Sequence, residues 1–311
     1  MNKKKNIQIF ISILLLTYIF SQQKWGEVIK SFECFSIWVF FVGLSIDWIF
    51  LTIDSFRLHL LSNKAYPVSL LLKSRLTTLL LANFMPGQLS GELLRVFLID
   101  QFRPGRKLFL TLILLVNKVY GLLSVIFLFA VIYLFDSSFI VISKSVIIIM
   151  ILSFFIPLIL NFKISQRAVL FILKNMSRFV RKFLLRFYLA IKKFSAPSIW
   201  LKVSLLCILS TLLAVFQTWI LSESLNLNIP FSEWVLYTTF IFTLTFLPVS
   251  FGSFGTQDAG FFILAGYLGL RNEPFIAISI TLHFFRIASA LPSLLWIGEV
   301  NSVFLKIKRS E

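Results

Sequence analysis

The sequence contains little of what soluble enzymes use for chemistry. It has two histidines and two cysteines, and Cys34 and Cys207 lie far apart inside apolar runs. No Cys/His cluster has metal-ligand spacing, so the sequence predicts neither a disulfide framework nor a metal site. It also lacks a Ser/His/Asp set, a phosphate loop and a dinucleotide fingerprint. We therefore predict a protein that is not an enzyme and that holds no cofactor.

Charged residues are scarce as well, at 14% of the chain against about a quarter in average globular proteins. Apolar residues make up 58%, phenylalanine alone occurs 37 times, and the mean hydropathy is +0.92. A water-soluble fold has no means of burying so much apolar surface. The composition predicts an all-α, polytopic transmembrane helical bundle, with residues 1–311 forming a single integral membrane domain.

The charges that are present are mostly positive, with 30 Lys and Arg against 13 Asp and Glu. Such an excess is also typical of nucleic-acid-binding proteins. Here, however, the cations gather in short segments between the apolar runs, which is the pattern of cytoplasmic loops beside anionic lipids. We predict no nucleic-acid partner, and the same count places both the N- and the C-terminus in the cytoplasm.

Six apolar runs are long enough to be spanning helices. The first follows Lys3, Lys4 and Lys5 and resembles both a signal peptide and a membrane anchor. We favour the anchor, because the run lacks a small-x-small cleavage pattern and further spans follow it. The predicted spans cover 7–20, 32–53, 108–135, 139–160, 200–221 and 275–297.

Two further apolar runs, 67–98 and 234–268, are interrupted by residues that no lipid-exposed helix would carry. The flanking charges put both ends of each run on one side, so we predict two re-entrant helical hairpins that enter from opposite faces. A competing interpretation treats each hairpin as one or two spanning helices, which gives eight spans or more, and hydropathy does not separate the two. The predicted hairpin breaks are Asn83, Pro86, Gly87, Gly91, Pro248, Gly252 and Gly255.

The segments 32–135 and 200–297 each read as span, broken hairpin, span, in opposite orientations. This order predicts an inverted repeat. Inverted repeats with broken helices are a recurrent design of secondary transporters, whose substrate site lies where the helices break. Non-helical backbone at membrane depth requires protein or a watery cavity beside it, so the breaks also predict a cavity.

Charged residues repeat in the two units. Glu92 precedes Lys118 by nearly the same separation that lies between Asp258 and Arg286. One interpretation is that Arg95, Lys118 and Arg286 bind an anionic headgroup, while Glu92 and Asp258 hold these cations or carry coupling protons. The alternative is structural: Glu92 and Arg95 neutralise each other at i, i+3, and the other two cations bind backbone carbonyls released by the breaks. His283, three residues before Arg286, is either a proton-sensitive neighbour or a helix-packing residue.

The segment 162–198 contains nine Lys and Arg and no acid, with Leu, Ile and Phe interleaved at helical spacing. This pattern predicts a basic amphipathic helix on the inner leaflet, with anionic inner-leaflet lipids as its partners. Its simpler role is that of a topology determinant and surface anchor, and a specific lipid or protein site is the alternative.

Two motifs give the chain a resemblance to a known family. Residues 83–95 combine asparagine, proline-glycine, glycine-glutamate and arginine, and residues 247–258 combine proline, several glycines and an acid. Both resemble the flippase-like membrane domain of lysylphosphatidylglycerol synthetases, a family that includes stand-alone membrane proteins. The sequence departs from the family pattern in three places: Asp258 replaces a usual glutamate, Ser253 a usual glycine, and Lys118 follows Asn117 where an arginine is commoner.

The resemblance implies lipid transport in the plasma (inner) membrane of a bacterium or archaeon. The expected function is the translocation of an anionic or modified phospholipid, or of a lipid-linked headgroup, through a charged cavity between the hairpins. Because no aminoacyl-transferase domain follows the last span, we expect that the chain does not make the lipid. Two alternatives stay open: a non-catalytic subunit that partners a lipid-modifying enzyme or glycosyltransferase, and an intramembrane transferase.

Overall fold

The fold is known from a computed structural model and is helical in every regular element that it describes. The described residues are 23–82, 88–102, 104–135, 144–159, 178–194, 196–245 and 255–296, together with Thr17 and Ser21. The predicted fold class, a polytopic helical membrane bundle, is confirmed. The helices are α1 (Trp25–Glu33), α2 (Ile37–Leu61), α3 (Val68–Ala82), α4 (Gln88–Asp100), α5 (Lys107–Phe135), α6 (Lys144–Phe154), α7 (Ile156–Ile159), α8 (Arg178–Phe194), α9 (Pro197–Ser224), α10 (Phe231–Thr245), α11 (Thr256–Leu268), α12 (Asn272–Ala290) and a terminal 3₁₀ helix (Leu291–Trp296).

Four of the described helices are long and apolar enough to cross a membrane. They are Ile37–Leu61, Lys107–Leu134, Pro197–Ser224 and Asn272–Trp296, each 25 to 28 residues long. An α-helix rises about 1.5 Å per residue, so each exceeds the roughly 30 Å hydrocarbon core. These helices correspond to the predicted spans 32–53, 108–135, 200–221 and 275–297. The predicted span 7–20 lies outside the described residues except for Thr17, and only α6 and α7 are described within 139–160.

Local sequence signals set several helix ends. Pro197 begins α9, where its missing N–H costs no hydrogen bond. Gly269 ends α11 in the left-handed conformation, with φ of 65°. Asn63 and Lys64 adopt φ of 54° and 60° directly after α2, which turns the chain towards α3. The span predicted to stop at residue 53 therefore continues to Leu61, because no breaker occurs before Asn63.

Each predicted hairpin contains two short helices that pack on each other, α3 on α4 and α10 on α11. The close contact is made by a glycine of the second helix in both pairs. A Cβ on Gly91 would lie 2.7 Å from the Ala82 Cβ, and a Cβ on Gly260 would lie 3.1 Å from the Ile241 side chain. Gly91 is thus a packing residue of the first pair as well as a predicted break. At 13 to 15 residues these helices are shorter than the about 20 residues that span a bilayer.

The order long, short, short, long occurs twice, in α2 to α5 and again in α9 to α12. These two sets fall in the predicted units 32–135 and 200–297, and their inverted relation stays a prediction. The two sets are packed together, since α2 contacts α9 and α12. Gly43 of α2 makes the second contact possible, because a Cβ there would collide with the Phe285 ring.

The basic amphipathic segment is described in part, as α8. Arg181 and Arg186 are exposed, whereas Tyr188 is buried. Phe187 and Ile191 pack against the apolar cluster that α2, α5 and α9 form around Leu58, Tyr120 and Trp200. The helix therefore presents cations on one side and binds the bundle with the other.

Candidate functional site

A cavity of about 280 Å³ lies between the two sets of helices. Its walls come from α2, α3, α4, α5, α9, α10, α11 and α12, so it touches all four helices of the predicted hairpins. Within an otherwise apolar bundle its lining is rich in charge. The charged residues in its described lining are Asp47, Asp54, Arg57, Arg75, Glu92, Lys118 and Arg286.

Asp54, in the middle of this cluster, accepts hydrogen bonds from its own helix and from two other helices, and forms an ion pair with a third. Arg57 Nη2 and Asn117 Nδ2 donate to its Oδ1 at 2.8 and 3.0 Å. Arg95 Nη1 donates to Oδ2 at 2.8 Å, and Arg75 Nε lies 3.5 Å from the same oxygen. One carboxylate of α2 thereby positions cations from α3 and α4 and an amide from α5.

Glu92 of α4 is the second carboxylate of the cluster. It lies 2.9 Å from Arg75 Nη1 and 3.0 Å from Lys118 Nζ, while Arg95 Nη1 is farther away at 3.7 Å. The structure thus brings together Glu92 and Lys118, the pair that the repeated spacing of charged residues in the sequence indicated. The Lys118 side chain is 27% exposed and that of Glu92 only 9%, so the lysine is the more accessible partner.

Cations outnumber carboxylates in this part of the cavity wall. Around Asp54 and Glu92, the described ion pairs involve three cations of the cavity lining, Arg57, Arg75 and Lys118, and a fourth, Arg95, behind it. Buried charge is costly unless it is paired, and an excess cation in a membrane protein favours an anionic ligand that completes the pairing. The electrostatics of this wall suit a phosphate or carboxylate.

The part of the cavity wall around Arg286 is built differently. Arg286 Nη2 donates to Gln257 Oε1 at 2.9 Å, and the carboxylate of Asp47 attracts the same guanidinium. Gln217 Nε2 donates to the Gly43 carbonyl at 2.9 Å and to Asp47 Oδ1 at 3.3 Å. Arg286 is therefore held by one amide and one carboxylate. Its side chain lies in the lining of the cavity.

Asp258 makes other contacts than those the sequence spacing suggested. Its Oδ2 accepts from the Gly255 N–H at 2.8 Å and its Oδ1 from Ser279 Oγ at 2.7 Å. His283 Nε2 lies 3.3 Å from Oδ1. Asp258 thus caps the start of α11 and joins it to α12 through Ser279 and His283, whereas Arg286 bonds to the neighbouring Gln257.

The predicted site residues therefore divide into two groups. Lys118, Arg286 and Glu92 line the cavity, whereas Arg95 and Asp258 are buried behind its lining at 0% and 1% exposure. Arg95 also donates to the Leu71 carbonyl at 3.2 Å and contacts Ser74 Oγ at 3.4 Å, which leaves it no free face. Of the predicted breaks, Gly91 and Gly255 are described. Those outside the described residues are Asn83, Pro86, Gly87, Pro248 and Gly252.

Several cavity residues escaped the sequence analysis, in particular the acids of α2 and Arg75. Asp54 and Arg57 lie three residues apart at the end of an apolar run, which is the signal that was available for them. The predicted span ended at residue 53, so both residues fell outside the predicted membrane helix. The charged and amide side chains of the lining that were not predicted as site residues are Asp47, Asp54, Arg57, Arg75, Asn117, Gln217 and Gln257.

The family of the chain follows from a profile match that covers nearly its whole length. The family described as Lysylphosphatidylglycerol synthase TM region matches residues 6–293. The chain belongs to this family. Both motifs that carry the sequence resemblance, 83–95 and 247–258, lie within the match, as do all the cavity residues. No curated protein and no solved structure matches the chain significantly.

Membership in the lysylphosphatidylglycerol synthase transmembrane family makes this a multi-pass membrane protein with a lipid-related domain. Within the described residues, no three His, Cys, Asp or Glu side chains are grouped to hold a metal ion. The chemistry of the described lining is that of guanidinium, ammonium, carboxylate and amide groups. Groups of this kind form charge-assisted hydrogen bonds.

Proposed function

We propose that this protein translocates a phospholipid, or a lipid-linked group, whose headgroup is anionic and passes through the cavity between the two helix pairs. The supporting observation is the excess of cations around Asp54 and Glu92 in the cavity wall. The acyl chains stay in the bilayer during this movement. The polar groups of the cavity then take the place of the water that hydrates the headgroup at the membrane surface.

Lys118 is the first contact for the headgroup in this proposal. It is the most exposed cation of the cluster, and its partner Glu92 is also bonded to Arg75 at 2.9 Å. A phosphate can therefore take Lys118 from Glu92 without leaving that carboxylate as an unpaired buried charge. Such an exchange avoids the penalty of several kcal/mol, roughly 3–5, that breaking a buried pair carries.

Arg286 provides the second contact. Its guanidinium lies in the cavity wall, where Gln257 Oε1 accepts a hydrogen bond from it, and a phosphate in the cavity adds a charge-assisted bond to the same group. The cavity volume of about 280 Å³ lies just below the roughly 300–1,000 Å³ of ligand pockets. It therefore suits a headgroup alone, in agreement with acyl chains that remain outside.

The setting in this proposal is the plasma (inner) membrane of a bacterium or archaeon, with cytoplasmic termini. The basic segment 162–198, of which α8 is described, rests on anionic lipids of the inner leaflet through exposed cations such as Arg181 and Arg186. The protein acts as a carrier without covalent chemistry. An enzyme that modifies the lipid before or after translocation is the partner that we propose for this role.

The test is a leaflet-sidedness assay in proteoliposomes that contain a fluorescent anionic phospholipid. We expect Lys118→Gln combined with Arg286→Gln to slow translocation by about tenfold or more, since hydrogen bonds to charged groups contribute about 1.5–3 kcal/mol each. The matched control combines Lys107→Gln with Arg271→Gln, because these exposed residues lie on or beside the same helices, α5 and α12. Equal rates for both double variants would remove the mechanism and favour an accessory subunit.

A further inference from the structure

A second feature that suits a lipid lies on the outside of the bundle, away from the charged cavity. A shallow groove runs between α2 and α9, with Phe56 and Leu60 on one side and Leu205 and Leu206 on the other. Phe56 and Leu205 are 43% and 57% exposed, so the walls of the groove face the surroundings of the protein. In a membrane, an exposed apolar groove of this kind is covered by acyl chains.

Two lysines stand at one end of this groove. Lys64 follows the last residue of α2, and Lys202 lies in the second turn of α9, so both mark the end of the spanning helices. Both are exposed, and neither takes part in an ion pair among the residues that the structure describes. The lysines therefore lie at the end of the groove, and the apolar wall lies farther along the helices. This arrangement matches a phospholipid, in which the charged phosphate lies at the membrane surface and the acyl chain extends inwards.

The backbone holds Lys64 in place. Its φ is 60°, and its N–H donates to the His59 carbonyl at 2.8 Å, which closes the end of α2. The His59 ring stacks on Phe56 with centroids 6.1 Å apart, and its Nδ1 lies 2.7 Å from the Tyr66 carbonyl. The cationic end and the aromatic wall are thus parts of one ordered turn.

The groove is separate from the cavity of the proposed function. The seam between α2 and α9 divides them, with Arg57 Nη1 donating to the buried Cys207 Sγ at 2.8 Å on the cavity side. The lining of the groove and that of the cavity have no described residue in common. A ligand of one site therefore makes none of the contacts of the other.

We propose that this groove binds one anionic phospholipid from the leaflet at that end of the helices. Its phosphate lies between Lys64 and Lys202, and an acyl chain follows Phe56 and Leu205. Each lysine near a membrane surface favours an anionic lipid by about 1 kcal/mol, or about fivefold. Phosphatidylglycerol is therefore selected over phosphatidylcholine, which carries no net charge.

The test uses a photoreactive p-benzoylphenylalanine in place of Leu205, in the full-length protein reconstituted into vesicles of phosphatidylglycerol and phosphatidylcholine. Mass spectrometry then gives the ratio of the two lipids in the crosslinked product. A second protein carries the photoreactive residue in place of Leu209, which is 46% exposed one turn farther along α9 and outside the described groove lining. The lipid ratio in its crosslinked product gives the average lipid composition beside the protein.

We expect phosphatidylglycerol to be enriched at least about fivefold at position 205 relative to position 209. Lys64→Gln with Lys202→Gln should abolish the enrichment, whereas Lys24→Gln with Lys30→Gln, which removes two exposed lysines just before and within α1, should keep it. The cations of α8 are present in every variant, so they do not account for such a difference. Equal lipid ratios at positions 205 and 209, or enrichment that survives the loss of Lys64 and Lys202, would overturn the proposal.

Discussion

Arg95 Nη1 and Asp54 Oδ2 form a buried ion pair of 2.8 Å that joins α4 to α2. The pair attaches the second helix of the first hairpin to a spanning helix, on the protein side of the charged cavity. Its neighbours, Arg57 and Asn117, share the other oxygen of the same carboxylate. The charge of Asp54 therefore supports several helices at once, and this separates the framework of the cavity from the residues that face its interior.

Replacement of Asp54 by Asn should destabilise the fold strongly. The change leaves Arg95 and Arg57 without their carboxylate, and breaking a buried pair costs about 3–5 kcal/mol. Thermal unfolding in detergent, followed by circular dichroism, measures the loss. Glu223→Gln, at an exposed position near the end of α9, serves as the matched control and should unfold like the unmodified protein. A variant at Asp54 that unfolds together with this control would show that the network carries little stability.

Arg95 and Lys118 should give different phenotypes although both are cations near Glu92. Arg95→Gln removes a side chain with 0% exposure, so we expect lower thermal stability and less folded protein. Lys118→Gln removes a side chain that is 27% exposed, so we expect near-normal stability with slower translocation. Melting temperature and initial transport rate, measured on the same preparations, distinguish the two effects. The division of roles is wrong if Arg95→Gln folds normally and only transport falls.

Gly91→Ala should loosen the first helix pair, since the new Cβ would lie 2.7 Å from the Cβ of Ala82. Extra methyl groups in a packed contact cost about 1–3 kcal/mol. The second change Ala82→Gly removes the opposing methyl group and should restore much of the lost stability, because the contact is local. A double variant no more stable than Gly91→Ala alone would argue that the two helices do not pack as described.

Gly255→Ala should destabilise the start of α11. Gly255 has φ of 92° and ψ of −48°, a conformation that costs an L-residue about 1–3 kcal/mol, and its N–H donates to Asp258 at 2.8 Å. Gly266→Ala on the same helix is the control, since a Cβ there meets nothing within 4 Å. The control should unfold at the same temperature as the unmodified protein or higher. Thermal unfolding of both variants measures the difference between their unfolding temperatures.

The positions of the four described spans along the sequence could be predicted because they depend on hydropathy and helix breakers, which are local properties. Glu92 and Lys118 could be paired for the same kind of reason, since a buried charge in a membrane needs a partner. Asp54 could not be assigned its role in advance. Its partners Arg75, Arg95 and Asn117 come from three other helices, and nothing in the sequence indicates which helix faces its carboxylate.

The second unit illustrates the same limit at a shorter distance. Asp258 and Arg286 stand at a spacing like that of Glu92 and Lys118, yet Asp258 bonds to Ser279 and His283 while Arg286 bonds to Gln257. Gly255 explains part of this difference, because its conformation brings its N–H to the Asp258 carboxylate and turns that side chain to the helix start. A backbone turn of one residue thus decides which of two adjacent side chains reaches the cavity.

The central claim is that a headgroup-sized chamber, open to water and polar ligands, lies between the helix pairs. It is tested most directly by a cysteine at Gly121, which lines the cavity and where a Cβ meets nothing within 4 Å. The background carries Cys34→Ser, because Cys34 is exposed and Cys207 is buried. We predict that a charged, membrane-impermeant thiol reagent modifies Gly121→Cys at least about tenfold faster than Leu209→Cys on the outer surface of α9, and that a short-chain anionic phospholipid slows this reaction. Equal, slow modification at both positions would contradict the account.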